Sequence, residues 1–147
     1  MELRVSFLLA LMSFVFPQLA AAQADDLAVR KLLKDQVEAW NAGSVEGYMK
    51  GYWNSDSTAF VSGGTLTRGY KEVLARYKKS YDTPEKMGKL EFEELVLRQP
   101  SPILIIATGI WRLHRTNDSP WGRFTLLIEK KSEGWRIVYD HTSAAAQ

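Results

Sequence analysis

The chain contains no cysteine. Disulfides are therefore excluded, even in a compartment that would permit them, and so is a lipoprotein anchor, which needs a cysteine after its leader. Histidine is nearly absent too: His114 and His141 lie far apart in sequence. Without a third ligand they do not make a metal site, so no metal and no cofactor is expected. No basic run stands out. The net charge is +2, with Lys and Arg interleaved among Asp and Glu. A nucleic-acid binder would carry a basic stripe, so none is expected as a partner. There is also no apolar stretch of the ~20 residues a membrane-spanning helix needs. Internal repeats, low-complexity segments and linkers are lacking as well, which leaves one domain.

What the chain does have begins with a leader. Arg4 precedes the apolar residues 5–16 (VSFLLALMSFVF), then Pro17 and the small-residue stretch QLAAAQA. Charge, a short apolar core and an Ala-x-Ala site read as a secretory signal peptide covering residues 1–24, cleaved after Ala24, with Ala22 as the alternative. The mature chain, 25–147, is then secreted or periplasmic in a bacterium, soluble, and free of the membrane once the signal is gone. It is long enough to bury a real core. Aromatic residues are plentiful, with five Trp, six Tyr and six Phe. In a small domain they build a large core or line a pocket.

Helical signals come first. Asp25 and Asp26 suit the start of a helix, in which Val29, Leu33, Val37 and Trp40 recur at helical spacing until Asn41-Ala42-Gly43 ends it. Ser44 can cap a second, shorter helix with the stripe Val45, Tyr48, Met49 and Tyr52. TAFVS (58–62) reads as a strand, Gly63-Gly64 as a turn and TLT as a short return strand. Tyr70, Val73, Leu74, Tyr77 and Tyr81 form the apolar stripe of a third helix, with a loop marked by Pro84 and Gly88 after it. Four longer strands follow, at 89–98, 103–114, 121–130 and 135–142. In the first of them the alternation slips by one residue at Glu93-Glu94, the mark of a β-bulge that bends the strand. Strands apolar on both faces imply a sheet covered on both sides. Helices cover one; a second copy of the chain is the simplest cover for the other, so a homodimer is expected. The predicted class is α+β: a cone-shaped, strongly bent, mostly antiparallel sheet wrapped around three N-terminal-side helices.

The order α-α-β-β-α-β-β-β-β carries the stretches WNAGSVEGY (40–48), GYW (51–53), FVSGG (60–64), TRGY (67–70), GRFTLL (122–127) and GWRIVYDHTS (134–143). In this order and spacing the chain resembles the nuclear-transport-factor-2-like superfamily, which includes ketosteroid isomerase, scytalone dehydratase and SnoaL-like cyclases. Within it, the chain is similar to the branch related to the association domain of calcium/calmodulin-dependent protein kinase II. The fold hosts enzymes, binders and assembly hubs, so the resemblance implies a fold and not a reaction.

Asp140 and His141 are the most suggestive pair of residues. As neighbours in a strand they point to opposite faces. Regular alternation puts Trp135, Ile137, Tyr139 and His141 on one face and Arg136, Val138, Asp140 and Thr142 on the other. The resemblance implies that His141 faces the cone interior, because the kinase association domain has a similarly placed histidine. His141 is then the candidate catalytic residue, against the reading that it only satisfies a buried hydrogen bond. Asp140 is expected outside, paired with Arg112 or Arg123. A single bulge before Asp140 would exchange the two roles.

Isomerase chemistry on this fold needs an interior base and an oxyanion donor. Tyr48, Tyr52, Tyr77 and Tyr139 are donor candidates, but no interior carboxylate is evident. Arg68 is a candidate for holding a ligand carboxylate, as arginines do in related association domains, against the reading that it is a surface arginine. Candidate ligand-binding residues are Trp40, Tyr48, Tyr52, Trp53, Phe60, Arg68, Tyr77, Trp111, Phe124 and Tyr139. The leading function is binding of a small organic molecule, carboxylate-bearing or aromatic, in an aromatic-lined cavity. The alternatives are a lyase or isomerase using His141 and a pocket tyrosine, and a non-catalytic assembly module.

Overall fold

A computed structural model describes the backbone of residues 3–146 and the side chains of residues 18–146. Helix α1 runs unbroken over Leu3–Asn41. Asp25 and Asp26 therefore do not open it: the Ala-rich segment before them is among the best helix-forming sequence available, and the helix continues through it. Asp25 has a different task. Its carboxylate is buried and accepts hydrogen bonds from Lys130 Nζ (2.8 Å), Gln99 Nε2 (3.1 Å) and Trp135 Nε1 (3.2 Å). Burial recurs from there at Val29, Leu33, Gln36 and Trp40, the face that meets the sheet.

Gly43, at φ 81°, turns the chain out of α1. Ser44 caps α2 (Val45–Met49) by accepting from the Gly47 amide at 2.9 Å. Strands β1 (Ala59–Ser62) and β2 (Thr65–Arg68) form a hairpin around Gly63-Gly64. Both glycines have positive φ, as the tight hairpin turn requires. Helix α3 spans Tyr70–Ser80 and buries Val73 and Tyr77. The expected loop after it contains one short helix, α4 (Pro84–Met87), capped by Thr83 and entered through Pro84.

The remaining strands are β3 (Lys89–Ser101), β4 (Leu104–His114), β5 (Trp121–Lys131) and β6 (Gly134–Thr142). They complete a six-stranded sheet in the order β2-β1-β6-β5-β4-β3, antiparallel throughout except for the parallel β1–β6 pair. The bent, mixed sheet folds around the helices as the α+β cone that the pattern implied. The β3 bulge is present: the pairing with β4 shifts between Glu93 and Val96, and Glu94 adopts φ 50°.

A second bulge, the one that exchanges the roles of Asp140 and His141, lies in β6. Leu127 pairs with Tyr139, but the next residue, Ile128, pairs with Ile137, so Val138 is extra. Here β6 also changes its other neighbour. Ile137 bonds to the segment around Tyr52, accepting from the Trp53 amide and donating to Gly51 O, whereas Tyr139 onward pairs with β1. Beyond Val138 the alternation of β6 is inverted.

Candidate functional site

That inversion decides which ionisable group the cone encloses. Trp135 and Ile137 face inward as expected, but after Val138 the inward residues are Asp140 and Thr142. Asp140 is 3% exposed, while His141 lies exposed on the opposite face. The expected arrangement, His141 inside and Asp140 outside, is therefore reversed. Neither expected arginine partner reaches Asp140: Arg112 pairs with Glu93 at 2.6 Å and Arg123 with Glu94 at 3.0 Å.

Asp140 opens onto a cavity of about 220 Å³ between helices and sheet. The helices contribute Trp40 from α1, Tyr48 from α2 and Tyr77 from α3, with Tyr81 just past the end of α3. The long strands β3 to β5 contribute Phe92, Trp111 and Phe124 with Leu90, Leu113 and Leu126; β1 adds Phe60 and Ser62. Ala144, just past β6, completes the wall. The tail reaches this place by running beside β5. Ser143 and Ala145 amides donate to Arg123 O and Trp121 O, each at 2.9 Å, and Trp111 Nε1 donates to Ser143 O at 2.9 Å.

The polar centre is small. Tyr52 donates its hydroxyl to Asp140 Oδ2 at 2.6 Å, and Thr142 Oγ1 donates to Oδ1 at 2.9 Å. The Tyr52 and Tyr77 hydroxyls are 3.3 Å apart. Because Tyr52 spends its one proton on Asp140, Tyr77 is the donor in that contact. Tyr48 packs against both rings, with centroids at 5.9 and 5.3 Å. Burial pushes the Asp140 carboxyl up to about 6, against the pull of the Tyr52 and Thr142 donors and the charges of His141 and Arg76. Burial also raises the phenols of Tyr48, Tyr52 and Tyr77, and the Asp140 charge adds to it. Near neutral pH the site is thus an ionised carboxylate among neutral hydroxyl donors. It can accept a hydrogen bond or a proton from a bound molecule.

Of the ten residues nominated as ligand-binding, Trp40, Tyr48, Phe60, Tyr77, Trp111 and Phe124 line this cavity. Tyr52 stands behind Asp140 as its hydrogen-bond donor. Three lie elsewhere. Arg68 ends β2 in solvent, because its strand is at the sheet edge. Trp53 sits half-buried under Lys131 Nζ, 3.7 Å from the ring centroid. Tyr139 is on the outer face, displaced by the bulge. Asp140, expected outside, also lines the cavity, as do Thr142, Tyr81 and Phe92, which were not nominated. Phe92 was legible, since it precedes the recognised slip at Glu93-Glu94. Arg76 lies over the Phe60 ring at 4.7 Å and bonds Ser62 O, Thr65 O and Thr67 Oγ1, tying α3 to the hairpin. Among the described residues, no three His, Asp or Glu side chains come together to hold a metal ion, and no helix is long and apolar enough to cross a membrane.

A bent sheet over helices with a lateral cavity is the nuclear-transport-factor-2-like fold. The SnoaL-like domain model matches residues 29–147, and the chain belongs to that family. A nuclear-transport-factor-2-like protein of unknown function from Shewanella oneidensis is 40% identical, covering 79% of this chain and 96% of its own, with a TM-score of 0.75. A domain of unknown function with a cystatin-like fold from Nostoc punctiforme is 25% identical, covering 84% and 79%, with a TM-score of 0.71. A nuclear transport factor 2-like superfamily protein from Salmonella enterica, 17% identical over 86% and 94%, shares the fold at a TM-score of 0.69. No functionally curated protein matches the chain. Fold and family together point to a ligand-binding or isomerase-type domain.

Proposed function

We propose that the domain binds a small, largely apolar organic molecule in the cone cavity, with Asp140 as its polar anchor. The observation that carries this reading is a lone buried carboxylate, with its pKa at about 6, set in an aromatic cavity. An apolar cavity of about 150 Å³ takes one benzene ring, so a cavity of about 220 Å³ suits a bicyclic molecule. Such a ligand should stabilise the native state in proportion to its concentration over Kd. The test is a thermal-shift titration with 2-indanol. The expected result is a rise in Tm that Leu126→Trp, which fills the cavity, abolishes. A rise that survives Leu126→Trp would refute the reading.

A second reading, proton transfer of the isomerase type, is favoured by the same pKa. A base titrating near the working pH is the useful kind, and Tyr48, a phenol kept neutral by burial, is a donor candidate on the same cavity wall. Asp140, not His141, is then the base. Incubation of 2-tetralone in deuterated water tests it by NMR. Deuteration of the acidic C–H positions should be faster with the protein than without, and Asp140→Asn should abolish the difference.

Export and self-association belong to the same proposal. Among the described side chains, those of residues 18–24 are all exposed and Asp25 is the first buried, which supports a processed chain starting at Asp25. Mass spectrometry of the exported protein reads that directly. Leu127 lies half-buried on the sheet face away from the helices, where Ile110 is already covered within the chain; a second copy would cover Leu127, and light scattering should report a dimer that Leu127→Glu weakens.

A further inference from the structure

The cavity holds a charge without a counter-charge. Asp140 forms no ion pair among the described residues; its ionised form is held by two neutral hydroxyls, Tyr52 and Thr142. The nearest cations are committed elsewhere. Arg76 is bound to Ser62 O at 3.0 Å and Thr67 Oγ1 at 2.9 Å. His141 follows in the strand but faces outward. Tyr48, Tyr52 and Tyr77, the other titratable groups around Asp140, stay neutral. A carboxylate offers about four acceptor sites, and two are used.

An apolar ligand that sealed this cavity would leave the carboxylate buried and unpaired, which is costly. An anionic ligand would be repelled by it. A protonated amine resolves both: it donates to the open lone pairs and supplies the missing charge. The rest of the wall suits it as well, because aromatic ring faces attract cations.

Resting on the reading that the cavity binds a small organic molecule, we propose that its ligand is a small cyclic amine in the ammonium form. The ammonium sits on Asp140, and the hydrocarbon part lies among Trp40, Phe92, Trp111 and Phe124. The cavity is a site for organic ammonium ions, selected by one carboxylate and a cage of rings.

Three probes of one skeleton separate the possibilities: 2-aminoindane, 2-indanol and indane-2-carboxylate. Calorimetric titration of the wild-type protein at pH 7.5 should rank the amine at least tenfold tighter than the alcohol, with the carboxylate weakest. The amine's affinity should fall tenfold or more between pH 7.5 and 5, as Asp140 takes up its proton. Asp140→Asn should erase the amine's advantage over the alcohol. If the alcohol or the carboxylate binds wild-type protein as tightly as the amine, the ammonium site is refuted while the small-molecule cavity stands. If none of the three binds at millimolar concentration, both are refuted. The wild-type ranking decides without the variant, should Asp140→Asn fail to fold.

Discussion

Replacing Asp140 by Asn should make the protein more stable above pH 6, though it removes a hydrogen-bonded side chain. The carboxyl titrates at about 6 in the folded protein and at about 3.9 in an unfolded chain. A folded pKa above the unfolded one means that the native state holds its proton more tightly. Stability is therefore highest below the unfolded value, declines as pH rises from about 4 to 6, and is flat above. Two pKa units at 1.36 kcal/mol each give a penalty of about 3 kcal/mol at pH 8, and well under 1 kcal/mol at pH 4. Almost none of it is screened, because Asp140 is only 3% exposed. Asn keeps an acceptor for Tyr52 but brings a buried N–H without a partner, costing about 1 kcal/mol at either pH. The expected outcome is a variant about 1–2 kcal/mol more stable than wild type at pH 8 and slightly less stable at pH 4. Urea unfolding at both pH values reads this as a crossing of the two midpoints. Equal differences at pH 4 and pH 8 would refute the reasoning, since a mere packing change has no such pH dependence.

Tyr52→Phe removes the 2.6 Å donor to the same carboxylate and should cost about 1.5–3 kcal/mol at pH 8 but markedly less at pH 4, where Asp140 is nearly all protonated; the same urea experiment measures it. Gly122→Ala places a Cβ 1.9 Å from Ser143 O. The tail must then leave β5, at about 1–3 kcal/mol, and hydrogen exchange at Ala145 should speed up while exchange in β4 stays protected.

Most of the fold was legible because its signals are local. Ser44 as a cap, the Gly63-Gly64 turn, the stripe Tyr70–Val73–Tyr77 and the slip at Glu93-Glu94 each depend on residues close in sequence. The cavity wall was legible in part for the same reason, since Trp40, Tyr48 and Tyr77 lie on recognisable helix faces. The bulge at Val138 was not. In β3 the slip shows as two consecutive charged residues within an apolar alternation. In IVYD every residue suits either face of a strand, and what fixes the bulge is a change of partner, from the Tyr52 segment to β1, between chain segments far apart in sequence. One extra residue thus exchanged Asp140 for His141 as the enclosed group. The start of α1 was misread because good caps at Asp25 and Asp26 are outweighed by the helix-favouring alanines before them. Asp25's real partners, Lys130, Gln99 and Trp135, are distant in sequence.

The most direct test of the central claim, that Asp140 is the ionisable group of a ligand cavity, is a carbon-13 NMR titration of its side-chain carboxyl, assigned by comparison with Asp140→Asn. The midpoint should fall at about 6 and move when 2-indanol is added, while the His141 imidazole shows no response to the ligand. A midpoint at the ordinary carboxylate value near 4, or a ligand response at His141 with none at Asp140, would contradict it.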